Sequence, residues 1–113
     1  AVPVPGDLPI FDDFAGAERS LARIRACAPT MLLSSWQPLA QGDEVGRRLD
    51  AAVDWQHQVR DLTLAWAPKV AGDPDPLALC RQVAPRLGLP PGAVNPIVAR
   101  SLAACLRAAG VKP

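Results

Sequence analysis

Apolar residues recur at three- and four-residue steps in four stretches of the chain, and the polar residues between them carry most of the breakers. From Asp13 onward Phe14, Ala17, Leu21, Ile24 and Ala28 line one side of a helix. Asp12 or Asp13 is placed to cap its start, and Pro29 ends it. The longest pattern holds Val45, Leu49, Ala52, Trp55, Val59, Leu62 and Trp66. It predicts a helix over residues 43–67, about six or seven turns long, with a single apolar seam. Two shorter helices follow, over 76–87 and 96–109. Leu77, Cys80, Val83, Ala84 and Leu87 form the inner face of the first, and Val98, Leu102, Cys105, Leu106 and Ala109 that of the second. Asp75-Pro76 and Asn95-Pro96 are start signals: the polar side chain accepts free backbone N–H groups, and proline loses nothing at the first helical position. Gly88 and Gly110 are the corresponding stops.

One segment does not fit a helix. Residues 30–35, "TMLLSS", sit between breakers and suit a buried β-strand. Residues 1–11 carry three prolines and a Gly-Asp pair and read as extended chain that lies on something else. The expected fold class is therefore mainly α with one β-strand, in the order helix, strand, long helix, helical pair. A lone buried strand leaves backbone groups unpaired at about 1–3 kcal/mol each. Its sheet is expected to be completed from outside this segment.

Composition narrows the function classes. Of 113 residues half are apolar and a fifth charged, with a formal net charge of +1. This is neither a disordered acidic tail nor a basic nucleic-acid-binding domain, so no nucleic-acid partner is expected. No apolar run is long enough for a membrane span, and the N-terminus lacks the pattern of a signal peptide, so the expected location is cytoplasmic and away from the membrane. Cys27, Cys80 and Cys105 are widely spaced and odd in number, which argues against a disulfide framework or a zinc ribbon. Cys80 and Cys105 fall on apolar helix faces, where a thiol acts as a small hydrophobe. The single histidine, His57, lies off the long seam and reads as a surface residue. A serine hydrolase is disfavoured because no glycine elbow surrounds Ser34-Ser35.

The run "PIFDDFAGAERSLARIRACAPTMLLSSWQP", residues 9–38, resembles the C-terminal part of the metallo-β-lactamase-fold hydrolases. The shared features are a Pro-x-Asp-Asp-like loop, a helix with Ser-Leu-x-Arg-x-Arg, and a Leu-Leu-Ser strand followed closely by proline. The likeness covers about the first forty residues, and the rest in layout only. It implies that the chain is the C-terminal portion of an αβ/βα sandwich, with residues 1–42 its last loop, helix and strand and residues 43–113 a helical region. The partner would then be the remaining N-terminal part of the same fold; a homo-oligomer is a further expectation. In such hydrolases a metal-bound water attacks an ester, thioester, amide or phosphodiester bond, so zinc or iron would belong to the intact protein.

Two departures bear on the chemistry. The family's His-x-His-x-Asp-His motif is absent from this chain. Where the last metal-binding histidine would stand there is Trp36, whose indole can donate its N–H but has no lone pair for a metal. No metal ligand or catalytic residue is therefore assigned to this segment. Ser34, Ser35, Trp36 and Gln37 are the expected lining of a substrate pocket, with Asp7, Asp12 and Asp13 in the neighbouring loop. The alternative reading is a small helical protein-interaction module without catalytic activity, whose Val45–Trp66 stripe docks a partner.

Overall fold

The computed structural model describes residues 9–11, 13–27, 31–34 and 37–110, with 31–34 and 37–40 as backbone. Mainly helical architecture is what it shows. The order is α1 (Phe14–Ala26), β1 (Met31–Ser34), β2 (Gln37–Gln41), α2 (Asp43–Trp66), α3 (Ala78–Arg86) and α4 (Pro96–Ala108). Two short 3-10 turns, Ala67–Lys69 and Pro91–Ala93, lie before and after α3.

The 24-residue α2 is the spine. Its apolar seam is buried from Val45 through Leu49, Ala52 and Trp55 to Val59. The seam from Val45 to Val59 is thus spent on internal packing, while Leu62 and Trp66 further along it are half-buried. Its N-terminal half packs Val45, Leu49 and Ala52 against Leu21 of α1. Its C-terminal half, with Phe14, enters the larger core, where Cys80, Val83 and Leu87 of α3 meet Val98, Leu102 and Cys105 of α4.

Three contacts fix α1 antiparallel to α2. The Arg60 guanidinium stands 5.9 Å from the Phe14 ring centre. Next along, His57 Nε2 is 3.3 Å from Glu18 Oε2. Arg25 pairs with Asp50. As the number rises on one helix it falls on the other.

Capping follows the sequence signals at three ends. Asn95 Oδ1 accepts the Val98 N–H at 2.9 Å, closing the start of α4. At the end of α3, Gly88 takes a left-handed φ of 76°. The Leu89 N–H reaches Ala84 O at 3.0 Å and the Gly88 N–H reaches Pro85 O at 3.1 Å, the two bonds of a Schellman stop. Asp75 Oδ1 accepts the Leu77 N–H at 2.9 Å, an Asx turn that delays the regular helix to Ala78. Asp13 departs from its expected role. It occupies the N-cap position of α1 without a side-chain cap bond, and its carboxylate turns to Arg19 at 3.5 Å.

The lone strand is also replaced. β1 and β2 form an antiparallel two-stranded sheet with Ser34 opposite Gln37, Leu32 opposite Ala40 and Met31 opposite Gln41. The register leaves Pro38 and Leu39 facing Leu33, one residue too many on β2. Proline has no N–H to give a ladder, and a bulge on an edge strand is where that costs least. This is why a segment containing Pro38 is extended despite reading as a turn.

Candidate functional site

The expected pocket residues divide. Ser34 and Gln37 face one another as the last register pair of the hairpin. Ser35, Trp36, Asp7 and Asp12 lie outside the described residues. Asp13 is exposed at the far end of α1 from Ala26 and joins Arg19. No convergence of these groups around one point is seen among the described residues.

Titratable groups elsewhere are dispersed as well. Among the described residues no three His, Cys, Asp or Glu side chains gather as metal ligands. His57 faces Glu18 alone, both half-exposed. Cys80 and Cys105 are fully buried. Burial pushes the Cys105 thiol up to about 12 and that of Cys80 upward too, so neither presents a thiolate nucleophile.

A concave feature lies elsewhere. A groove of about 730 Å³ opens where the end of α2, the 67–77 connection and the start of α3 meet α4. Leu64, Leu79, Leu102 and Leu106 supply its bulk; Ala67, Ala71, Gly72, Ala99 and Ala103 keep it open. Charge enters only through Asp73, Asp75 and Arg100. Gly72, at φ 92°, turns the connection over the groove in a conformation that side chains resist. Periodicity alone could not find this site, because its lining is assembled from three helices and a loop that are brought together only by tertiary packing.

Two contacts hold the neighbouring elements. Arg81 pairs with Asp75, whose carboxyl is held below the usual range first by the Leu77 N–H and then by Arg81. The Trp66 ring carries Lys69 Nζ 4.1 Å and the Arg86 guanidinium 3.7 Å from its centre. Such cation–π contacts contribute about 0.5–1 kcal/mol each at exposed sites and fasten the end of α2 to the end of α3.

Groove and strand end are distinct places. From Asp43 to Leu64 along α2 the rise is about 30 Å at 1.5 Å per residue. The hairpin stands at one end of the spine and the groove at the other. Comparison with protein-family models, with curated proteins and with solved structures gave no match. No helix among the described residues is long and apolar enough to cross a membrane.

Proposed function

We propose that the chain is the C-terminal part of a metallo-β-lactamase-like hydrolase, in which the hairpin continues a catalytic sandwich and the helices brace it. The observation that carries this reading is the run of residues 9–38 leading into a long helix and a helical pair. The hairpin supports it. Within the described residues the sheet has only two strands, so each has an outer edge without a ladder partner, the kind of edge that folded proteins cover or extend.

The test is the full reading frame around Ala1. An upstream His-x-His-x-Asp-His and a strand ending in Gly-Asp, with ester or thioester hydrolysis by the whole protein, support the proposal. A start codon immediately before Ala1 sinks it. Trp36 makes a second measurement useful: metal content of the whole protein is expected below that of a two-metal site, and Trp36→His is expected to raise it.

A second reading is favoured by the groove. The described lining of that groove falls within residues 64–106, so a non-catalytic helical binding module would use neither the hairpin nor a metal for its site. The measurement that separates the two is hydrolysis by the whole protein. A binding module shows none, and keeps its groove ligand when residues 31–41 are altered.

A further inference from the structure

We draw no further inference here: the strongest candidate, the apolar groove between α2, α3 and α4 lined by Leu64, Leu79, Leu102 and Leu106, carries nothing because nothing in the structure shows what covers it.

Discussion

The Phe11 N–H donates to Ser101 Oγ at 2.9 Å, joining residues 90 positions apart and tying the extended segment before α1 to the buried side of α4. Ser101 Oγ in turn donates to Ile97 O at 3.2 Å, so one hydroxyl serves both elements. Phe11 then sets its ring edge-on to Phe14, with centres 5.5 Å apart. Ser101→Ala leaves the Phe11 N–H without its acceptor and is expected to cost about 1–3 kcal/mol. Urea denaturation of the whole chain measures that loss. Hydrogen exchange separates it from general loosening, because the Phe11 amide is expected to lose protection well ahead of amides in α3.

Two glycines should respond to alanine with opposite signs. Gly88 holds φ 76° at the end of α3, and nothing lies within 4 Å of an added Cβ, so crowding contributes nothing there. The left-handed backbone alone should make Gly88→Ala destabilising by about 1–2 kcal/mol. Gly46 is inside α2 with equally open space and no positive φ. Gly46→Ala should stabilise by about 0.5–1 kcal/mol, since glycine gives up more backbone freedom in a helix. Equal effects of the two changes in thermal unfolding would contradict this account.

The same contrast shows which parts of the fold could be read from the residues. Gly88, Gly110, Asn95-Pro96 and Asp75-Pro76 signal through local chemistry, and the ends of α3 and α4 lie where those signals put them, within two residues. The α2 seam was legible because its period runs unbroken from Val45 to Trp66. Pairing is a property of two segments, and Pro38 disguised the second; hence β2 and its bulge were not anticipated. The groove was hidden for a related reason. Ala67, Ala99 and Ala103 look like ordinary helix formers until tertiary packing sets them side by side. Of the expected pocket, only Ser34 and Gln37 fall on described backbone, as partners across the hairpin.

Acid should loosen the molecule at two identifiable carboxylates. The Leu77 N–H and then Arg81 lower the Asp75 carboxyl, and a side-chain hydrogen bond from Arg47 lowers that of Glu44. A carboxyl with a depressed folded pKa stabilises fully above its unfolded value, near 3.9 for Asp and 4.3 for Glu. That contribution is lost as pH falls through the folded value. The unfolding midpoint is therefore expected to drop below about pH 4. Asp75→Asn should flatten part of that drop while lowering stability at neutral pH. An acid limb of unchanged steepness in Asp75→Asn would show that the 73–77 turn is not held by this charge.

The three thiols should separate by burial. Cys27 is exposed at the end of α1, whereas Cys80 and Cys105 are fully buried in one core with Val83 and Leu102. Because burial raises both inner thiols, that of Cys105 to about 12, the thiolate fraction at pH 8 is negligible even before access is considered. An aromatic disulfide reagent at pH 8 is expected to titrate Cys27 alone in the native protein and all three thiols in strong denaturant. Since Cys80 and Cys105 occupy the same packed cluster, neither can be reached by fraying of one helix end. Their slow labelling should share one denaturant dependence, equal to that of global unfolding. Faster labelling of Cys80 than of Cys105 in mild denaturant would instead mean that α3 detaches from α2 and α4 as a unit, opening the groove wall before the rest of the core.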